Sequence, residues 1–175
     1  GSVSGLDWNQ VSPGVGDGTL YDRVYTVESD DIILPTPSLT GYTFTGWTGS
    51  NGTTPQTSVT IAKGTTGDKE YTANYTLSNY TITLNTQGGS VSDSSWKAVT
   101  ANSKYTKSYN IESDKIELPK PSRQGYYFRG WSGPGLSSPQ TTVVIDKGST
   151  ASRTYTANWG DPGTITIHLA EDLAS

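Results

Sequence analysis

Apolar and polar residues alternate along several short segments of the chain. In Tyr80–Asn85 (YTITLN) the apolar residues Tyr, Ile and Leu alternate with the polar residues Thr, Thr and Asn, and Tyr42–Thr45 (YTFT) alternates in the same way. Side chains two positions apart on a strand face the same side, so this pattern predicts short β-strands with one buried face. Gly and Pro lie between these segments, as is typical of turns. The pattern predicts a mainly β protein.

One pattern occurs twice. The segment VYTVESDDIILPTPSLTGYTFTGWTG, from Val24, aligns with SYNIESDKIELPKPSRQGYYFRGWSG, from Ser108, and about half of the positions are identical. Upstream, GSVSGLDW aligns with GSVSDSSW, and an extra loop, PGVGDG, distinguishes the first copy. Repetition at a fixed spacing is the signature of tandem modules. We therefore predict module 1 at residues 1–76 and module 2 at residues 78–159, joined by a short link.

Comparison of the copies separates positions that stay apolar from positions that vary. Ile32 and Leu34 have apolar counterparts 84 residues later, whereas the counterpart of Ile33 is Glu117. A kept apolar position next to a variable one indicates a buried face beside an exposed one. On this basis the following aromatic residues are predicted to form the structural core: Tyr42, Phe44, Trp47, Tyr126, Phe128, Trp131 and Trp159.

The tail, residues 160–175, contains a further strand pattern. The segment TITIHL, at residues 164–169, is similar to the TITLN of module 2, and module 1 lacks an opening strand of this kind. One interpretation is that a further module starts here. The other is strand exchange, in which residues 164–169 fill the vacant sheet edge of module 1, within the chain or on a neighbouring copy. The sequence leaves both open.

These motifs carry a family resemblance. GYTFTGWTG with YTANY, repeated as GYYFRGWSG with YTANW, resembles the Listeria–Bacteroides repeat, or InlB B-repeat, family over nearly all of the chain to Trp159. The resemblance implies a small α+β, β-grasp-like module that is strung in tandem in bacterial surface proteins. It also implies an extracellular location on the bacterial cell surface, with neighbouring repeats in the parent protein as partners. The family has no established catalytic residues, so the resemblance supplies none.

The composition offers little for catalysis or cofactor binding. The chain has no cysteine, one histidine (His168) and a net charge of −4. Thiolate chemistry is therefore excluded, and neither a metal site, a cofactor, a nucleic-acid partner nor a membrane span is expected. An intramolecular isopeptide bond is a remaining covalent alternative, because Lys63 and Asn74, with Glu28, recur as Lys147 and Asn158, with Glu112.

The predicted function is that of a non-catalytic spacer or stalk, since the aromatic residues are committed to cores and the modules follow one another closely. The alternative is an adhesive module for a host glycan or protein. Flat aromatic rings that lie outside the core would serve as its contacts. The candidate ligand contacts are Trp8, Trp96 and Tyr127.

Overall fold

The computed structural model describes residues 1–4, 7–13 and 18–170. The chain divides into two compact units, residues 1–79 and residues 80–175. The first unit contains module 1, and the second contains module 2 and the tail. Most of the predicted PGVGDG loop (residues 14–17) and the last residues of the tail (171–175) lie outside the described residues.

Module 1 is built from short strands, which Thr, Tyr and Ile favour because their side chains pack well on a pleated surface. Seven strands form in the described part of this unit: β1 (Asn9–Pro13), β2 (Thr19–Asp22), β3 (Ile32–Ile33), β4 (Tyr42–Gly49), β5 (Gly52–Gln56), β6 (Thr60–Ile61) and β7 (Tyr71–Leu77). They pair as three separate sheets, with the orders β1-β2, β3-β6 and β5-β4-β7. All of these pairings are antiparallel.

Module 2 also has seven strands: β8 (Tyr80–Asn85), β9 (Lys97–Thr100), β10 (Lys104–Tyr109), β11 (Ile116–Glu117), β12 (Tyr127–Ser132), β13 (Val144–Ile145) and β14 (Arg153–Gly160). Five of them form one sheet in the order β12-β14-β8-β10-β9, and β11 pairs with β13. The opening strand β8 lies in the middle of this sheet. It pairs antiparallel with β10 and parallel with the closing strand β14.

Most strands of module 1 have a counterpart in module 2, because the two modules are repeats. In sequence, β3, β4, β6 and β7 match β11, β12, β13 and β14. The hairpin β1-β2 likewise matches β9-β10. The opening strand β8 has no counterpart among the described residues of module 1. Because β8 joins β10 to β14 in module 2, its absence explains why β2 and β7 belong to different sheets in module 1.

Each module has its own core. In module 2 the side chains of Ile82, Leu84 and Trp131 are completely buried. The indole nitrogen of Trp131 donates a hydrogen bond to the carbonyl oxygen of Pro119 at 3.0 Å. In module 1 the corresponding nitrogen of Trp47 is buried without a partner among the described residues. Phe128 contacts the rings of Trp131 and Trp159 edge-on, and Phe44 contacts Trp47 and Tyr75 in the same way.

A β-bulge interrupts the pairing of β4 with β7 in module 1 and of β12 with β14 in module 2. In β4 the bulge lies between Phe44 and Gly46, and in β12 between Phe128 and Gly130. Both glycines have positive φ, 140° at Gly46 and 125° at Gly130. A Cβ atom on Gly130 would lie 2.6 Å from the carbonyl carbon of Gln140, so only glycine fits this close approach.

The structure confirms the mainly β fold class. The described residues contain no helix, so the small α component of the prediction is not found, and the likeness to a β-grasp fold stays a prediction. Tyr126 is not a core residue, because its side chain is 39% exposed. It precedes β12, and its ring lies 3.8 Å from the guanidinium carbon of Arg123 instead of packing inward. Trp159 is only partly buried, at the margin of the core.

The strand predicted over residues 164–169 does not form in the structure of the single chain. Residues 161–170 make no strand pairing and are exposed. A β-strand is stable only when its backbone groups pair with a neighbour. An alternating sequence is therefore not sufficient for a strand here.

The substitution Gly130→Ala tests the role of the bulge. It should lower the free energy of unfolding of module 2 by at least about 2 kcal/mol, because alanine is strained at this φ and its Cβ would meet backbone. Urea denaturation followed by tryptophan fluorescence measures the change. Gly135→Ala is the matched control, since Gly135 also has positive φ (74°) but open space around its Cα. An equal loss in both variants would contradict the packing argument.

Candidate functional site

The three candidate ligand contacts do not form an aromatic platform. Trp96 is only 4% exposed and belongs to the core of module 2, so a ligand contact through this ring is excluded. Trp8 is half-buried and packs against the core of module 1. Each indole is covered by a cation at a similar distance, Arg23 at 5.9 Å over Trp8 and Lys107 at 5.5 Å over Trp96. The recurrence of this arrangement indicates a packing role for both rings.

Tyr127 is the most accessible of the three, at 60% exposed. Its ring lies against Gly160, where a Cβ atom would come within 2.0 Å of the ring. The phenol end of the ring therefore lies against the end of β14. Most of the side chain is exposed and could contact a ligand.

Among the described residues, no group of three or more His, Asp or Glu side chains could hold a metal ion. His168 lies on the exposed tail. No helix long and apolar enough to cross a membrane is found within the described ranges.

Asn74 and Asn158, the candidates for an isopeptide bond, have another role. The side-chain amide of Asn158 donates hydrogen bonds to the carbonyl oxygens of Gly130 (3.1 Å) and Thr156 (3.2 Å) and to the hydroxyl of Ser132 (2.7 Å). Asn74 makes the equivalent contacts across the bulge of module 1. Lys63 and Lys147 are exposed, so neither has the desolvated amine that the covalent reaction requires. Asn158 therefore acts as a bracket that holds the two sides of the bulge together.

The parallel pair β8–β14 is the feature that organises module 2. The register places Arg153 opposite Ile82 and Tyr155 opposite Leu84. The side chains of Ile82, Leu84 and Tyr155 are at least 99% buried. At the far end, the indole nitrogen of Trp159 donates to the carbonyl oxygen of Thr86 at 2.9 Å. The pair is thus held by backbone bonds along its length and by side chains at its end.

The near end of the pair is tied to β10. The hydroxyl of Tyr109 donates a hydrogen bond to the carbonyl oxygen of Ala151, and the guanidinium of Arg153 donates to the same hydroxyl at 3.3 Å. The pKa of Arg153 is raised, chiefly because its side chain hydrogen-bonds to Tyr155. Burial of the guanidinium lowers this pKa, and the hydrogen bond to Tyr109 raises it further. The guanidinium therefore stays charged and keeps these contacts at all ordinary pH values.

Module 1 keeps only part of this arrangement. The hydroxyl of Tyr25 donates to the carbonyl oxygen of Gly67, as Tyr109 does in module 2. Tyr71 and Ala73, the counterparts of Tyr155 and Ala157, are only partly buried because no strand covers them among the described residues. Partial burial still raises the pKa of Tyr71, with a smaller contribution from the nearby Tyr25. The result is an open strand edge on β7 beside a half-covered core.

The sequence analysis named a vacant sheet edge in module 1, because none of its segments corresponds to YTITLN. Among the described residues, β7 pairs only with β4. The parallel direction of the β8–β14 pair has no local sequence signal, because alternation is the same for parallel and antiparallel strands.

Asn158→Ala tests the bracket. The variant leaves two carbonyl oxygens and a hydroxyl without this donor, so the free energy of unfolding of module 2 should fall by about 2 kcal/mol. Thermal or urea denaturation measures the loss. Thr154→Ala, at an exposed position of the same strand, should change it by less than about 0.5 kcal/mol. A loss no larger than that of the control would show that the bracket is dispensable.

Comparison with known proteins gives two adjacent matches. Residues 11–79 match the family model of the divergent InlB B-repeat domain, and residues 80–158 match that of the Listeria-Bacteroides repeat domain. No curated protein and no solved structure matches the chain. The two matches meet where the chain divides into its two units, between Asn79 and Tyr80. The chain belongs to the Listeria–Bacteroides repeat, or InlB B-repeat, family, with a divergent B-repeat followed by a Listeria–Bacteroides repeat.

Proposed function

We propose that this chain is a non-catalytic spacer that transmits mechanical load in an extracellular bacterial surface protein. Repeats of this family occur in extracellular bacterial surface proteins and are generally non-catalytic. A stalk of this kind is pulled along its length whenever one end is anchored and the other end is bound. The relevant property of each module is then its resistance to force applied at its two ends.

The observation that carries this proposal is the parallel pairing of β8, the first strand of module 2, with β14, its last strand. Load enters at Tyr80 and leaves at Gly160, which are at opposite ends of the pair because the strands run in the same direction. Such a load slides one strand along the other, so all of the hydrogen bonds between Ile82–Asn85 and Arg153–Thr156 resist it together. An antiparallel terminal pair joined at one end would instead open one bond at a time.

Side chains reinforce the pair against sliding. A shift of one residue would turn the buried Ile82 and Leu84 to the opposite face of the sheet. Burial of two such side chains contributes about 3–6 kcal/mol, so the shifted register is strongly disfavoured. The bond between Trp159 and Thr86 adds a further anchor beyond the last paired residue.

The linker between the two modules is short. The strand β7 ends at Leu77 and β8 begins at Tyr80, so only Ser78 and Asn79 lie between them. Two residues span at most about 7 Å when fully extended. A pull on module 1 is therefore passed to β8 without first stretching a long linker.

An adhesive role has less support. It requires an accessible aromatic surface, and of the three candidate contacts Trp96 is buried, Trp8 is half-buried and Tyr127 has its phenol end against Gly160. Tyr127 is the side chain on which this alternative depends.

Single-molecule pulling tests the load-bearing role. Because the chain has no cysteine, handles can be placed through engineered ones. In the variant Asn79→Cys/Asp161→Cys the load enters at the two far ends of the β8–β14 pair and shears it. We expect unfolding at a distinctly higher force than in Asn79→Cys/Thr150→Cys, in which both handles lie at the same end and peel β8 away from β14.

Both variants should have the same stability in urea, which makes them matched controls for each other. Equal unfolding forces in the two pulling directions would contradict the proposed role, since resistance would then not depend on the strand geometry.

A further inference from the structure

The two modules differ in charge. Module 1, residues 1–76, has three Lys and Arg residues against eight Asp and Glu, whereas module 2, residues 78–159, has nine against five. None of the acidic residues of module 2 lies on a strand of its five-stranded sheet, while five of the basic residues do. The sheet of module 2 is therefore a positively charged part of an acidic chain, and positive charge attracts anionic partners.

The register of the strands shows which side chains share a face of this sheet, because residues opposite each other on paired strands point to the same side. Two polar rows cross the sheet. One consists of Ser132, Thr156, Asn85 and Lys104, and the other of Thr154, Thr83, Thr106 and Lys97. Ile82, Leu84 and Tyr155 alternate with these residues and are buried. The two rows therefore lie on the outer face of the sheet, opposite the core.

The polar groups of the outer face are available for a ligand. The side chains that make no hydrogen bond with any described residue include those of Asn85, Thr83, Thr106, Thr154 and Thr156. Lys97 and Lys104 are exposed and form no ion pair with the described part of the chain. Hydroxyl groups both donate and accept hydrogen bonds, as sugar hydroxyls do, and ammonium groups bind carboxylates.

We propose that the outer face of the module 2 sheet binds a linear polysaccharide that carries carboxylate groups. Adjacent strands lie about 4.8 Å apart, so an extended sugar chain across them meets new polar side chains at each strand. Lys97 and Lys104 pair with its carboxylates. Tyr127 lies on the same face at the β12 edge, because its phenol end lies against Gly160, and its exposed ring can stack on a sugar.

The chemistry of the two rows favours a sugar chain over other anionic partners. Neither row contains an aromatic side chain, so the bases of a nucleic acid have no series of rings on which to stack. Neither row contains an apolar side chain that could enter a lipid surface. Hydroxyl and amide groups instead occupy the positions between the lysines and the opposite edge of the sheet.

Module 1 lacks this combination. The counterparts of Lys97 and Lys104 are Asn9 and Leu20, and the counterpart of Thr106 is Asp22. Both cations are therefore missing and an acidic residue takes the place of a hydroxyl, so we expect binding in module 2 alone. Binding at this face does not depend on the spacer function.

Calorimetric titration of the whole chain with an oligogalacturonate tests the role of the lysines. Lys97→Ala/Lys104→Ala should weaken binding by about tenfold, because two ion pairs are lost. The matched control is Lys115→Ala/Lys147→Ala, which removes the same charge from exposed positions outside the five-stranded sheet and should change the affinity by less than about threefold. Equal losses in the two variants, or no binding by the unmodified chain, would overturn the proposal.

The hydroxyl groups are tested by Thr83→Val/Thr154→Val. Valine keeps the shape and the strand preference of threonine, so the thermal midpoint should be nearly unchanged while two hydroxyls are removed. We expect binding about fivefold weaker or more, because sugar hydroxyls lose their partners. An unchanged affinity in this folded variant would show that the face reads charge alone and would contradict binding of a sugar chain.

Three further ligands separate the sugar from its charge. The methyl ester of the oligogalacturonate keeps the sugar chain without the negative charge, whereas polyglutamate keeps the carboxylates without the sugar, and oligothymidylate is a nucleic acid. Each should bind at least about tenfold more weakly than the oligogalacturonate. Equal binding of the ester would overturn the role of the lysines. Equal binding of polyglutamate or oligothymidylate would overturn the assignment to a polysaccharide.

Discussion

The structure of module 2 depends on the parallel pairing of β8 with β14. Parallel strands cannot be joined by a tight turn, so the whole of the module between them serves as the connection. The remaining strands of the sheet are placed by this pair, because β10 pairs with the free edge of β8 and β12 with that of β14. Ile82 and Leu84 reach complete burial only because the strand that carries them lies in the middle of the sheet.

Module 1 shows what the same sequence pattern forms without that strand. The bulge, the asparagine bracket and the edge-on aromatic contacts of Phe44 are all retained. The sheet, however, is divided, and Tyr71 and Ala73 remain partly exposed. Local features of the repeat therefore form independently of the opening strand, whereas the continuous five-stranded sheet and its completely buried residues are found in the module that contains it. The proposed mechanical resistance is a consequence of this strand in module 2.

The sequence predicted the repeat and its mainly β character well, because alternation and comparison of the copies report directly on burial. Ile32 and Leu34 are buried while Ile33 is exposed, as the comparison with Glu117 indicated. It was less informative at Tyr126, which is kept between the copies but lies in the turn before β12, where alternation does not apply. Trp96 was the opposite case, since it was predicted to lie outside the core as a ligand contact, whereas Lys107 and the core enclose its ring.

Two features could not be predicted from the sequence for physical reasons. Strand direction depends on chain connectivity over many residues, and the local pattern around Tyr80 is compatible with either direction. The segment 164–169 has a strand pattern but no partner in the single chain, and backbone pairing rather than pattern decides whether a strand forms. Both cases concern which strands pair through their backbones, and side-chain identity determines this pairing only weakly.

Amide hydrogen exchange of the dilute, monomeric chain tests the central claim most directly. If the β8–β14 pair organises the module, the amides of Ile82–Asn85 and Tyr155–Thr156 should be among the slowest to exchange, because they open only when the module unfolds. The amide of Tyr71, which faces the open edge of module 1, should exchange at least about tenfold faster. Equal protection of the two sets would show that the closing strand is stable without its parallel partner and would contradict the account.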